Sequence, residues 1–151
     1  MIIYLGSDHA GFHLKEKVEA YLLKHGYKVE DVGAKTLDPA DDYPQFAFLA
    51  ATQVLGSTDD DPRAILLCGG GQGMAIAANR VRGIRAVVID DVEEARMSRN
   101  DNDANVLALP ARVLDNDEAK AFAIIETWLK TPFSKAARHA RRLHEIEEVY
   151  G

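Results

Sequence analysis

Cys68 is the only cysteine of the chain, and Gly69, Gly70, Gly71 and Gly73 follow it directly. Before it, Ile65, Leu66 and Leu67 make a short apolar run, long enough for a strand buried on both faces and too short for a helix. After it, the Ala-rich stretch Met74 to Arg80 reads as a helix. A glycine-rich turn between strand and helix leaves unpaired amide N–H groups at the positive end of the helix dipole, which suits a phosphate or a developing oxyanion. A thiol at that end is favoured as its anion and could take a proton or attack an electrophile. The same residue can also be read as a small buried hydrophobe. A dinucleotide fingerprint fits only in part: Gly69 and Gly71 match its first two glycines, but Met74 stands at the third and is too large for close helix packing.

Three further groups could take part in chemistry. Asp8 and His9 lie in the segment Gly6 to Gly11, just after the apolar run Ile2 to Leu5; Asp8 could equally be an N-cap and His9 a surface residue. Arg138 and Arg142 are four apart, so on a helix they share a face and could clamp one phosphate. The alternative is a solvated basic face with pairs such as Arg141 to Glu145. Asp101 to Asn105 has the composition of a loop that ends a helix.

The elements that must carry these residues alternate. Strands are expected at Ile2 to Leu5, Tyr27 to Val32, around Ile65 to Leu67, at Ile84 to Asp90 and at Val106 to Leu109. Helices are expected at Phe12 to His25, from Pro44 to about Leu55, over Met74 to Arg80, from Val92 to about Arg99 and from Asp115 to Lys130; a last one, capped by Ser134, would run to about Val149. Such alternation predicts a three-layer α/β/α, Rossmann-like domain with a five-stranded parallel sheet, one domain over residues 1–151. Ligands of such sheets bind beyond the C-terminal strand edge, where Asp8, His9, Cys68, the glycines and the Asp90-Asp91 pair all fall.

The formal charge of −6 argues against nucleic-acid or anionic-membrane binding, which excess positive charge drives. Lys130 to Arg142 nevertheless holds five Lys or Arg and no acid, a local cluster better suited to a small anion than to a polymer. One cysteine permits no internal disulfide, and no apolar leader or membrane-length run appears, so a cytoplasmic protein is expected.

Taken together, Gly6-Ser7-Asp8-His9-Ala10-Gly11, Asp42-Tyr43-Pro44, Cys68-Gly69 with Gly71, Gly73 and Ala77-Ala78-Asn79, Gly83-Ile84-Arg85-Ala86, Asn102 to Leu109 and Arg138-His139-Ala140-Arg141-Arg142 form a pattern. The chain closely resembles the type B ribose-5-phosphate isomerases and their relatives, the galactose-6-phosphate and allose-6-phosphate isomerases, over nearly its whole length. The resemblance implies aldose-ketose conversion of a phosphorylated sugar through a cis-enediolate, without metal or other cofactor, by a homodimer or dimer of dimers. It implies Cys68 as the base moving the proton between C1 and C2, and the amides near Gly69, Gly70, Gly71 and Gly73, with Asn102, as holders of the enediolate oxygens. His9, Arg112, Arg138 and Arg142 match the phosphate-binding set, and Asp8 and Tyr43 match groups around the sugar. Asn102 and Arg112 would come from the neighbouring subunit, and the C-terminal helix, about 134–149, would contribute to the dimer and the phosphate site.

Two positions depart from that pattern. Members acting on ribose 5-phosphate usually carry Thr or Ser where this chain has Gly70 and His where it has Asp101, and the resemblance links those side chains to opening of the furanose ring. Asp101 could take over the His role, since a carboxylate near other acids is more readily protonated. The departures also admit a tetrose 4-phosphate, which cannot close a furanose, or a hexose 6-phosphate. A sugar-phosphate-binding protein without catalysis is the reading from another class.

Overall fold

The computed structural model describes residues 1–149. Strands β1 (Ile2–Ser7), β2 (Lys28–Asp31), β3 (Pro62–Cys68), β4 (Ala86–Val88) and β5 (Val106–Pro110) form one parallel sheet in the order β2-β1-β3-β5-β4. Helices α1 (Phe12–Lys24), α2 (Tyr43–Gly56), α3 (Gln72–Ala78), α4 (Val92–Asn102), α5 (Ala111–Leu114), α6 (Glu118–Lys130) and α7 (Ala137–Glu148) complete the described chain.

Side chains alternate across each strand, so the sheet has two cores. From β3, Ile65 and Leu67 join Leu14, Val18 and Leu22 of α1 and Ile124, Ile125 and Trp128 of α6. Ala64, Leu66 and Cys68 face the other way, toward Ala47, Ala50 and Ala51 of α2 and Met74, Ala77 and Ala78 of α3. Ile65, Leu66 and Leu67 are fully buried, and each contributes about 2 kcal/mol on transfer from water. This is the α/β/α arrangement expected from the alternating pattern.

The order of strands fixes where a ligand can sit. From β1 the chain turns outward to β2, whereas from β3 it passes over β5 to reach β4. The connections therefore diverge between β1 and β3, and at such a switch point a crevice opens beyond the strand ends. Ser7 pairs with Leu67 across that gap, so Asp8 and Cys68 leave the sheet as neighbours.

Several boundaries differ from the pattern-based expectation. Asp115 to Asp117 is not helical: Asp117 caps α6 by accepting the Lys120 N–H (3.1 Å), and Ala111–Leu114 forms the separate short helix α5. Ser134 is not the N-cap of α7, which is Ala136; its hydroxyl accepts from Ala136 N–H (3.3 Å) and lies 2.9 Å from His139 Nδ1. The α4 helix runs through Asn102 because Asp103 takes a left-handed conformation (φ 46°) beyond it, held by buried Arg99, whose Nη1 lies 2.8 Å from the Asp103 carboxylate. Among the described residues no helix is long and apolar enough to cross a membrane.

Candidate active site

Cys68 is the last residue of β3 and only 6% exposed. Chain alternation turns its side chain to the α2–α3 side, and the N–H of Gly71 donates to Sγ at 3.2 Å. Gly71 sits at φ 73°, a conformation costly for any residue with a Cβ, and it starts α3. The N–H groups of Gly70, Gln72 and Gly73 have no acceptor among the described residues. Free donors thus stand around the thiol, as an oxyanion would require.

Neighbouring elements close a cleft of about 400 Å³ over this turn, lined by Asp8, Ala10, Tyr43, Cys68, Gly69, Gly70, Gln72, Gly73 and Arg112. Its size suits a small polar metabolite. Tyr43, at the start of α2, lays its ring over Gly73, where a Cβ would stand 2.6 Å from Cζ. Asp8 caps the single 3-10 turn His9–Gly11 by accepting the Gly11 N–H at 3.1 Å. Burial pushes the Asp8 carboxyl above its usual range, opposed by the Gly11 amide and the charge of His9.

His9 lies between two lining residues, Asp8 and Ala10. One carboxylate oxygen of Asp41 accepts both its backbone N–H (2.9 Å) and its ring Nδ1 (2.8 Å). That hydrogen bond, with the negative charges of Asp8 and Asp41, raises the imidazole pKa above its ordinary value, so the ring holds its proton more firmly. Asp8, His9 and Asp41 bring one ligand-type atom each within 4.8 Å of one another, a spacing a cation could use; one oxygen each of Asp8 and Asp41 and the His9 Nδ1 are already in the hydrogen bonds just described.

Arg112 requires a correction. The resemblance implied that it would come from a neighbouring subunit, but it lines the cleft of its own chain: a methyl at Gly69 would stand 3.0 Å from its Nη2. The cause is α5, unseen in the sequence, whose Arg112 N–H donates to Gly69 O at 2.9 Å and ties the helix to the glycine turn. Asp90 lies on the far side of the same turn, in an adjoining depression shared by Gly69, Gly70, Gln72 and Arg112. Asp91 instead caps α4, accepting from Glu93 and Glu94 N–H.

Asp101, Asn102, Arg138 and Arg142 are not brought to Cys68 within one chain. Asp101 and Asn102 line a separate depression with Val87, Val88 and Met97. Asp101 accepts from Asn100 Nδ2 (2.7 Å) and faces the buried His139 at 3.6 Å. Arg138 and Arg142 are exposed on α7, which packs on α4, and Arg141 pairs with Glu145 at 3.7 Å, as the helical spacing suggested. Residues with the expected chemistry therefore form two groups: a cleft around Cys68 and a second, outward-facing set at the α4–α7 end.

Comparison with known proteins decides the relationship. The sequence profile of the Ribose/Galactose Isomerase family matches residues 3–146. The chain belongs to the ribose/galactose isomerase family. It is 42% identical over 148 residues to ribose-5-phosphate isomerase B of Mycolicibacterium paratuberculosis, covering 98% of this chain and 91% of that protein. It is 40% identical over 147 residues to the Escherichia coli protein of the same name, covering 97% and 95%. Among solved structures, Clostridium thermocellum ribose-5-phosphate isomerase B superposes with a TM-score of 0.92 at 44% identity, covering 99% of this chain and 97% of that one. The Mycoplasma genitalium enzyme, with ribulose 5-phosphate bound, superposes with a TM-score of 0.92 at 35% identity, covering 99% and 95%.

Within this ribose/galactose isomerase frame the two departures acquire a geometry. A Cβ at Gly70 would meet nothing closer than Arg112 Nη1 at 3.9 Å, so the turn has room for the side chain it lacks. Asp101 accepts from Asn100 and stands 3.6 Å from His139, apart from the thiol of its own chain.

Proposed function

We propose that the protein interconverts the aldose and ketose forms of a sugar phosphate, with ribose 5-phosphate and ribulose 5-phosphate as the substrate pair. The observation that carries this reading is the Cys68 thiol at a turn whose Gly70, Gln72 and Gly73 line the same cleft with N–H groups that have no acceptor among the described residues. Cys68, as thiolate, takes the C2 proton of the open-chain aldose. The electron pair left at C2 forms the C1–C2 double bond of the enediolate, and charge passes to O1. Transfer of the O2 proton to O1 moves the charge to O2. As the C2=O bond forms, the C1–C2 double bond takes the proton back from Cys68 at C1, giving the ketose and restoring the thiolate. Amide donors of the Gly69 to Gly73 turn stabilise the anionic oxygens at the moment charge develops, a type of contribution worth about 3 kcal/mol per donor. Asp8 and Tyr43 contact the sugar, and His9 and Arg112 hold the phosphate end.

Family membership and the named relatives support this assignment, including the ribulose 5-phosphate bound to the Mycoplasma genitalium enzyme. Because Asn102, Arg138 and Arg142 stand apart from Cys68 in one chain, the reading requires a second copy to bring them to the cleft, with α7 as the connecting arm. The exposed Ile146 of α7 and Ile76 of α3 are consistent with surfaces covered by such a copy. The free thiol suits a reducing cytoplasm.

A second reading, an acyclic substrate such as a tetrose 4-phosphate, draws on the bare Gly70 and on Asp101 accepting a hydrogen bond from its neighbour Asn100. Proton NMR in heavy water with ribose 5-phosphate and with erythrose 4-phosphate tests both. Rapid ribose 5-phosphate turnover with deuterium uptake at C2 is expected. Turnover of the tetrose alone would replace the pentose reading, and turnover of neither would move the assignment to a hexose 6-phosphate or to sugar-phosphate binding without catalysis.

A further inference from the structure

His9 and Asp41 are thirty-two residues apart, on different loops, and they meet through a single oxygen: Asp41 Oδ1 receives the His9 backbone N–H at 2.9 Å and stands 2.8 Å from ring Nδ1. The Asp41 side chain is 7% exposed, and its other oxygen is buried with no hydrogen-bond partner among the described residues. A buried carboxylate left with one unsatisfied oxygen needs a cation beside it. The imidazolium of His9 is in contact to supply that charge.

We propose that Asp41 is a positioning residue that fixes His9 with its proton on Nδ1 and its ring charged, leaving Nε2 as the donor offered to the phosphate. Three features of the geometry support this. Two hydrogen bonds to one acceptor fix the backbone and the ring of His9 together, so the side chain has one orientation before ligand arrives. With Nδ1 occupied, a doubly protonated ring has Nε2–H as its only free donor. Asp8 and Asp41 are the acidic groups that act on His9, and both favour the charged ring. Asp41 itself is held by its own loop, its N–H donating to Asp38 O at 3.1 Å. The relation parallels a carboxylate that orients a histidine toward a metal, with an anion in the metal's place. This inference rests on the proposed reading of His9 as a phosphate contact.

The test is nitrogen NMR of the imidazole rings in the full-length protein, wild type, Asp41→Asn and Asp41→Glu, with inorganic phosphate as the probe. Asparagine keeps an acceptor for Nδ1–H and removes the charge. In the wild type His9 is expected to keep its Nδ1 proton throughout and to titrate above an ordinary histidine. In Asp41→Asn its titration moves down, and phosphate binds roughly tenfold more weakly at neutral pH, the scale of one charge-assisted hydrogen bond. The difference closes in acid, where both rings are charged, and Asp41→Glu restores part of the affinity. His9 titrating alike in wild type and Asp41→Asn would overturn the proposal, as would an altered titration with unaltered phosphate affinity. Should the variants fail to fold, a neutral wild-type ring carrying its proton on Nε2 would overturn it equally. Absence of sugar isomerisation in the wild type would count against the isomerase reading alone, since none of these readouts depends on turnover.

Discussion

Replacing Gly71 by alanine should destabilise the protein through two separable effects. Gly71 lies at φ 73°, where an L side chain costs about 1 kcal/mol or somewhat more. Its Cβ would also stand 3.1 Å from Val88 Cγ1 and 3.3 Å from backbone atoms of Leu109 and Pro110. The valine methyl can give way, but the β5 backbone, paired to β3, cannot, and such overpacking costs about 1 kcal/mol or more. The expected total is about 2–3 kcal/mol, less a few tenths gained because alanine restricts the unfolded chain. For a chain of this size that lowers the melting temperature by roughly 5–10 °C. Two other glycines serve as controls. Gly26 has φ 81° and open space around it, so Gly26→Ala should show the backbone part alone, about 1 kcal/mol. Gly70 has ordinary φ and no neighbour nearer than 3.9 Å, so Gly70→Ala should be neutral or slightly stabilising. Scanning calorimetry of the three proteins would show the order. A Gly71→Ala protein melting within a degree of wild type, or no more affected than Gly26→Ala, would refute the reasoning.

Other outcomes follow from the same geometry. The Lys15 ammonium, 3% exposed, lies 2.6 Å from Asp31 and also donates to Ala34 O, holding β2 and the following loop to α1; Lys15→Met should cost about 2–3 kcal/mol by removing the buried partner of the Asp31 carboxylate and leaving it only the exposed Lys35 as a cation, read from urea unfolding, and a loss below 1 kcal/mol would contradict it. Burial alone would raise the Asp31 carboxyl, but Lys15, the Gly33 amide and Lys35 outweigh it and hold it below the usual range. Its contribution is therefore complete above the unfolded-state value and lost as pH falls through the folded one, so the acid-side fall in urea midpoint should be shallower in Lys15→Met. Gly70→Ser, for which the turn has room, should raise turnover of ribose 5-phosphate relative to an acyclic substrate if ring opening limits the rate; equal effects on both would remove Gly70 from substrate selection. Mixing inactive Cys68→Ala with inactive Asn102→Ala protein should regain activity after subunit exchange, because one mixed site then has both residues; no recovery would refute a shared site.

Much of this fold is legible in local pattern. The unbroken apolar run Ile65-Leu66-Leu67 and the glycine turn after Cys68 specify the central strand, its burial on both faces and the donors at its end. The residues that escaped are those whose role is created by contacts distant in the chain. Asp41 is one of several aspartates in a polar loop, and only its meeting with His9 distinguishes it. His139 lies within a basic run that reads as a solvated face, yet it is buried against Asp101 and Ser134. The Ala111–Leu114 turn is too short to leave a periodic signal, so the position of Arg112 beside the glycines was not readable. Ser134 has the right type and place for an N-cap, but the His139 imidazole lies within hydrogen-bonding distance of its hydroxyl.

The central claim is that Cys68 moves the proton between C1 and C2. The direct measurement is deuterium uptake at C2 of ribose 5-phosphate in heavy water by Cys68→Ala protein, together with its affinity for inorganic phosphate. Removing the base should lower exchange and turnover together by at least about a hundredfold while phosphate affinity stays within about twofold of wild type. Exchange and turnover near wild-type rates in Cys68→Ala would contradict the assignment.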